Sequence, residues 1–217
     1  MEAIALASDC LIAHKAAVEA AERLITEAKS EKTAASRVCY LTGLALYELG
    51  EYVEALDQLT TSFNLEHSSE AAARISVCLW RQGDLPNAIR WVRRAIEINP
   101  KGSISTQISK ETHPFFAILG QFLLQNGEID SAASAARTAL EISPASCVAH
   151  AALAGTQMAK GDAEAAAKSY GSAIFQASSF ISRRLARERG SALELLKANL
   201  DLRPVAIQMS AIARYCL

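Results

Sequence analysis

The chain has 217 residues, of which 51% are hydrophobic and 21% are charged. This apolar content is sufficient for an extended core and argues against a globally disordered chain. The 22 lysine and arginine residues nearly balance the 23 aspartate and glutamate residues, and a net charge of −1 does not favour a duplex-binding protein.

The predicted elements begin with residues 1–35, whose apolar residues at helical spacing predict a degenerate helix pair or a cap. Further along, a glycine is followed directly by an acid at four places. Each of these dipeptides predicts the turn between two helices, because glycine can adopt positive φ after a helix and the acid favours the next N-terminus. The four are Gly50-Glu51, Gly83-Asp84, Gly127-Glu128 and Gly161-Asp162.

Small residues recur in a fixed relation to these turns. Before each glycine lies Gly43, Ser76, Gly120 or Ala154, and an alanine follows each glycine at a constant distance. Small side chains at these positions allow two helices to cross closely, so each turn predicts a helix–turn–helix of about 34 residues that must stack on its neighbours. We define repeats 1 to 4 as residues 36–68, 69–102, 113–146 and 147–180.

Two segments fall outside the repeats. The insert 103–112 is rich in serine and threonine, which predicts a loop. This loop is either a neutral surface feature or an element that leans over a binding groove or pairs with a partner. Residues 181–217 are expected to form capping helices at the exposed end of the stack.

The spacing resembles the tetratricopeptide repeat (TPR): a small residue at the eighth place, glycine at the fifteenth, alanine at the twentieth and twenty-seventh, and proline at the thirty-second. The usual aromatic residues at the fourth and eleventh places are mostly replaced here. The resemblance implies an all-α fold, a right-handed superhelical solenoid in which residues 1–217 form a single domain. It also implies a scaffold, adaptor or chaperone-like protein that binds another protein or peptide and is not an enzyme.

In the TPR family the first helix of each pair lines the concave groove. Transferred position by position, this register gives mostly apolar and aromatic residues with a few arginines, types that dominate interface energetics. The resemblance therefore predicts an apolar peptide or amphipathic helix as ligand, since the lysines with which some family members clamp a terminal carboxylate are missing. The alternative is that these side chains only pack against neighbouring or terminal helices. The candidates are Arg37, Tyr40, Leu41, Leu44, Tyr47, Arg74, Val77, Trp80, Arg81, Ile118, Gln121 and Leu124.

Two other functions remain open at this stage. The apolar groove could bury itself in a homo-oligomer, which would make the chain a self-associating subunit of a complex. A basic patch of Arg183, Arg184 and Arg187 is either a solvated helix face or a site for an acidic partner or RNA. Nucleic acid is the less favoured ligand, because little aromatic character interleaves with these arginines. A second group, Arg90, Arg93 and Arg94 beside Trp91, is expected at the surface.

No catalytic or cofactor motif is found. The five cysteines show no C-x-x-C spacing, so we expect no metal site and no disulfide framework, but small buried thiols in a cytoplasmic protein. Cys147, three residues before His150, is the one cysteine placed at a predicted helix start, and it carries only a weak nucleophile hypothesis. No run reaches the roughly 18 apolar residues that a membrane span requires.

Overall fold

The computed structural model describes residues 32–105 and 112–176, which divide between Ile98 and Asn99 into two compact units. The N-terminal unit contains α1 (Lys32–Leu49), α2 (Tyr52–Leu65), α3 (Ser69–Arg81) and α4 (Leu85–Ile98). The C-terminal unit contains β1 (Ser103–Ser105), β2 (Thr112–Pro114), α5 (Phe115–Gln125), α6 (Ile129–Ile142), α7 (Cys147–Ala159) and α8 (Ala163–Gln176).

The helices pack as antiparallel pairs in the order of the predicted repeats. In the N-terminal unit α1 packs on α2 and α3 on α4, and α2 also packs on α3. In the C-terminal unit α5 packs on α6 and α7 on α8, while α7 also contacts α5 and α6. This arrangement confirms an all-α helical-repeat fold. The single continuous domain over 1–217 stays a prediction.

The turn inside each pair is built on the predicted glycine. Gly50, Gly83, Gly127 and Gly161 have φ of 85°, 87°, 83° and 80°, a region in which a side chain would be strained. In repeat 2 the Gly83 N–H donates to the Trp80 carbonyl at 3.0 Å, and the Asp84 N–H donates to the Leu79 carbonyl at 2.9 Å. The same pair of bonds closes the other three turns, so two carbonyls at each helix end are satisfied.

The acid after the glycine acts differently as aspartate and as glutamate. Asp84 accepts a hydrogen bond from the Asn87 N–H at 3.2 Å, and Asp162 accepts one from the Ala165 N–H at 3.0 Å. Glu51 and Glu128 precede α2 and α6 without a side-chain cap hydrogen bond. The acid after the glycine therefore caps the N-terminus of the second helix by a direct hydrogen bond in repeats 2 and 4.

The small residues before the turns lie at close helix crossings, as expected. A methyl group added at Gly43 would lie 2.7 Å from Cγ of Leu59 on α2. At Gly120 it would lie 3.2 Å from the backbone nitrogen of Ala136 on α6. Close approach of the backbones explains why these two positions carry no side chain.

The insert departs from the predicted loop. Ser103–Ser105 and Thr112–Pro114 form an antiparallel ribbon in which Ile104 is paired with His113, and both side chains are buried. The ribbon contacts α5 and α7 through β2. The first helix of repeat 3 consequently begins at Phe115, two residues after the predicted start of the repeat.

The predicted end segments are described only in part. Residues 32–35 of the N-terminal segment form the first turn of α1, and residues 1–31 lie outside the described residues. The capping segment 181–217 also lies outside them. The cysteines that the structure describes, Cys39, Cys78 and Cys147, are buried and form no disulfide, in agreement with the expected buried thiols.

Candidate functional site

The accessible part of the predicted inner face lies on α1. Leu41 is 48% exposed in the middle of a helix whose other face forms the core. Arg37, one turn earlier on the same face, is exposed, and Tyr40 is half-buried between the helices. An exposed apolar side chain beside a guanidinium and a phenol has the composition of a protein contact surface.

Two tyrosine–arginine contacts join α1 to α3. The Nε of Arg81 donates to the hydroxyl of Tyr47 at 3.1 Å, and its guanidinium carbon lies 6.0 Å from the centre of the Tyr47 ring. Two helical turns earlier, Arg74 hydrogen-bonds to Tyr40. Because each contact pairs a phenol on α1 with a guanidinium on α3, the two first helices are held in register by matched polar pairs.

Burial controls the protonation of this region. Burial raises the pKa of the Tyr47 hydroxyl to about 12, and the Arg81 guanidinium beside it offsets part of the rise. Burial also raises the pKa of Tyr40, again partly offset by Arg74. The pKa of the Cys78 thiol is raised to about 12 by burial. These hydroxyls and this thiol therefore stay protonated and uncharged at neutral pH.

Trp80 and Arg81 form the second accessible element, at the end of α3. Both side chains are half-buried, and the guanidinium carbon of Arg81 lies 5.0 Å from the centre of the Trp80 ring. A guanidinium stacked on an indole presents its N–H edge in a fixed orientation. This pair is therefore a preformed mixed apolar and cationic contact point.

Half of the predicted binding residues are packing residues instead. Leu44 and Tyr47 on α1 are buried, as are Arg74 and Val77 on α3, because residues 71–79 of α3 are buried on every side. Ile118 and Gln121 on α5 are buried as well. These six side chains take part in helix packing, and a direct role for them in binding stays a prediction.

The remaining candidate of the C-terminal unit, Leu124, is half-buried. It covers Gly155 of α7 so closely that a Cβ at that glycine would clash with it. Its principal contact is thus a helix-packing contact within the C-terminal unit. The binding roles of Arg37, Tyr40, Leu41, Trp80 and Arg81 stay predictions.

The other sequence hypotheses fare differently. The basic patch of Arg183, Arg184 and Arg187 lies outside the described residues. Cys147 is buried, and the Nε2 of His150 hydrogen-bonds to the Pro144 carbonyl at 2.9 Å, so a substrate could not reach this thiol. Within 32–105 and 112–176, no group of histidine, cysteine, aspartate or glutamate side chains could hold a metal ion. None of the helices described combines the length and hydrophobicity needed to cross a bilayer.

The structure also gathers a cluster of which the sequence interpretation named only the part around Trp91 and its arginines, as surface residues. Phe63 and His67 of repeat 1 meet Trp91 and Arg94 of α4, with ring centres 4.9 Å apart for Phe63 and His67 and 5.1 Å apart for Phe63 and Trp91. The spacing of Phe63 and His67, one helical turn apart, was the available sequence signal. Their convergence with Trp91 depends on packing between repeats.

Comparisons with known proteins agree with this architecture. Sequence profiles of the tetratricopeptide repeat match residues 40–103 and 114–146. No curated protein sequence matches the chain. The fold is similar to the crystal structure of TTC0263, a thermophilic TPR protein of Thermus thermophilus, with 22% identity, a TM-score of 0.63, and coverage of 88% of this chain and 96% of that one.

Two further solved structures have the same fold. MamA is 19% identical, with a TM-score of 0.58 and coverage of 73% of this chain and 85% of that one. YrrB, described as a TPR protein with an unusual peptide-binding site, is 18% identical, with a TM-score of 0.56 and coverage of 80% and 86%. With two profile matches on the predicted repeats and the helix pairs in place, this chain belongs to the tetratricopeptide repeat family.

Proposed function

We propose that this chain is a protein-interaction scaffold whose N-terminal unit binds an apolar segment of a partner protein on the accessible inner face of α1 and the end of α3. The observation that carries the proposal is Leu41, 48% exposed in the middle of α1 with Arg37 on the same face. Fully burying an exposed leucine side chain is worth about 1.5–3 kcal/mol, so covering the exposed half of Leu41 would contribute roughly 0.7–1.4 kcal/mol. A partner that covers Leu41 would recover that free energy.

The chemistry of the surface defines the ligand. Leu41 offers an apolar contact, Trp80 a partly exposed indole, and Arg37 and Arg81 offer hydrogen-bond donors at its margins. A segment with one or two large apolar side chains and flanking acceptors fits these groups, either extended or as an amphipathic helix. The role is that of an adaptor or chaperone-like protein in the cytoplasm, and no catalytic step is proposed.

The similarity to YrrB supports a peptide ligand. That protein carries a peptide-binding site on the same fold, although 18% identity transfers the scaffold and not the contacts. The ligand of this chain must therefore be read from its own exposed residues.

The test begins with selection of binding peptides from a random library displayed on phage, using the full chain. A selected peptide is then labelled, and its affinity is measured by fluorescence anisotropy for the wild type, Leu41→Ser and Trp80→Ala. Val53→Ser is the matched control, because Val53 is 68% exposed but lies on α2, outside the inner face.

We expect Leu41→Ser and Trp80→Ala each to weaken binding at least about tenfold, a cost of roughly 1.4 kcal/mol, and Val53→Ser to leave it unchanged. Equal affinity for wild type and Leu41→Ser would refute the site. Failure to select any peptide, together with a dimeric mass in solution that Leu41→Ser makes monomeric, would replace the proposal with self-association.

A further inference from the structure

The second helix of repeat 2 carries a concentrated positive charge that the proposed inner face does not use. Arg90, Arg93 and Arg94 lie on α4 at helical spacing, so their side chains emerge on one side of the helix. All three are exposed, whereas the opposite side of α4 is buried in the core of the N-terminal unit. Glu97 is the one acid within α4. We refer to Arg90, Arg93 and Arg94 as the arginine cluster.

Arg94 is held in place by aromatic rings rather than by a carboxylate. Its guanidinium carbon lies 4.5 Å from the centre of the Phe63 ring and 5.2 Å from that of Trp91. Phe63 is 1% exposed and meets Trp91 edge to face, so the platform below the guanidinium is part of the core. A stacked guanidinium keeps its N–H edge open to a planar acceptor, and the stacking reduces the side-chain entropy lost when that acceptor binds.

Within the described part of the chain, the cluster keeps a positive excess over Glu97, the exposed acid one turn further along α4. There, Arg90 donates to the Asn87 side chain at 3.1 Å, and none of the three arginines forms an ion pair. The chain as a whole has a net charge of −1, so this positive field is local. An unpaired, partly ordered group of guanidiniums favours a negatively charged ligand.

From this arrangement we infer that the arginine cluster, with its Phe63–Trp91 platform, is a second docking surface that binds a short carboxylate-rich segment of a partner protein. Charge complementarity selects an acidic ligand, and the planar fork of Arg94 suits a carboxylate. The adjoining α2 exposes Glu54 and Asp57 and has no lysine or arginine, so an anionic ligand is confined to α4, which suits a short acidic segment better than a long nucleic-acid backbone.

The surface is independent of the proposed peptide site. The arginine cluster lies on a second helix, whereas Leu41, Trp80 and Arg81 lie on first helices. Each site can therefore fail without the other, and a partner could use both.

The experiment measures binding of a fluorescein-labelled decaglutamate peptide to the full chain by anisotropy, at low and at physiological salt. The variants are Arg93→Gln with Arg94→Gln, and Arg94→Lys alone. Arg137→Gln is the matched control, since it removes one exposed arginine from α6 in the C-terminal unit. Thermal unfolding followed by circular dichroism verifies that each variant is folded.

We expect saturable binding that weakens as salt rises, because exposed charges are screened. The double glutamine variant should lose at least about tenfold in affinity, and Arg94→Lys should lose part of it, because lysine keeps the charge without the planar fork. Arg137→Gln should bind like the wild type. In a Trp80→Phe background, where Trp91 is the remaining one of the 2 tryptophans, peptide addition should change the tryptophan emission.

Three results would overturn the inference. Absence of binding at low salt would remove the site. An equal loss of affinity in Arg137→Gln would show that net charge, and not this cluster, controls binding. Tighter binding of an oligouridine than of decaglutamate, lost in the same double variant, would identify the surface as a nucleic-acid site instead.

Discussion

The contact between Gly43 and Leu59 provides a quantitative test of why the repeat requires a small residue before the turn. A methyl group at position 43 would lie 2.7 Å from Cγ and 3.0 Å from Cδ2 of Leu59, and 3.2 Å from the carbonyl oxygen of Ala55. Alanine is favoured over glycine in a helix by about 1 kcal/mol, whereas overpacking a core costs about 1–3 kcal/mol. We therefore expect Gly43→Ala to lower the free energy of unfolding by about 1 kcal/mol.

Truncating Leu59, the side chain that the new methyl would meet, should turn the effect of Gly43→Ala on the free energy of unfolding from destabilising to stabilising. Leu59 is fully buried, so Leu59→Ala alone should cost about 3 kcal/mol. In the double variant the two Leu59 atoms nearest to the new methyl are gone, while the Ala55 carbonyl oxygen stays at 3.2 Å, and most of the helix-propensity gain of about 1 kcal/mol remains. The double variant should then lose about 2 kcal/mol where simple addition gives about 4, a coupling of about 2 kcal/mol.

The measurement is urea unfolding followed by circular dichroism, combined with hydrogen exchange of the α1 and α2 amides so that local opening of the first hairpin is seen separately. Gly43→Ala combined with Val92→Ala serves as the control. Val92 is fully buried on α4, and the atoms nearest to the added methyl belong to Leu59 and Ala55. The control pair should be additive. An additive result for Gly43 and Leu59 as well would refute the steric explanation of the repeat pattern.

Two further predictions concern the turns and the buried phenol. Asp84→Ala should lower stability by about 1 kcal/mol because it removes an N-cap hydrogen bond, whereas Glu128→Ala, where no cap bond exists, should change it by less than about 0.5 kcal/mol; urea unfolding compares the two. The pKa of Tyr47 rises from 10.0 to about 12 on folding, so the unfolded chain loses this proton first and stability should fall between these pH values. Tyr47→Phe should reduce this loss of unfolding free energy by up to roughly 2.7 kcal/mol, as measured by unfolding at a series of alkaline pH values. An unchanged dependence of the unfolding free energy on pH would show that Cys78 or another group causes the loss.

The sequence predicted most of the fold because the decisive interactions are local. The glycine with positive φ, such as Gly83, and the small residue at the helix crossing, such as Gly120, both act within a single helix pair. The structural reason for each residue is therefore visible in the local sequence pattern. The ribbon of Ser103–Ser105 and Thr112–Pro114 was missed for the opposite reason. Its strands are three residues long and polar, and Ile104 is buried through contacts that a local pattern does not contain.

The candidate site was predicted less well because exposure depends on neighbours. Leu41 and Arg74 occupy the same place in repeats 1 and 2, yet the leucine is 48% exposed and the arginine is 3% exposed. Among the described helices of the N-terminal unit, α3 packs against α1, α2 and α4, whereas α1 packs against α2 and α3. The repeat register transferred from the family predicts which residues face the inner surface. It does not predict which of those residues remain accessible to a ligand.

The repeat pattern constrains the buried positions of each helix and leaves the exposed positions free to vary. The charges at these exposed positions distinguish this chain from other members of its family. The second helices α2 and α4 have equivalent places in their repeats and nearly identical buried positions, such as Ala55 and Ala88. Their exposed faces differ in sign, acidic on α2 and basic on α4. Packing explains only part of this difference. The Arg94 guanidinium lies on the buried Phe63 ring, but Arg90 and Arg93 are exposed, and isolated surface charges contribute little to stability. Recognition of a partner is a physical reason for concentrating three arginines on one helix beside an aromatic platform.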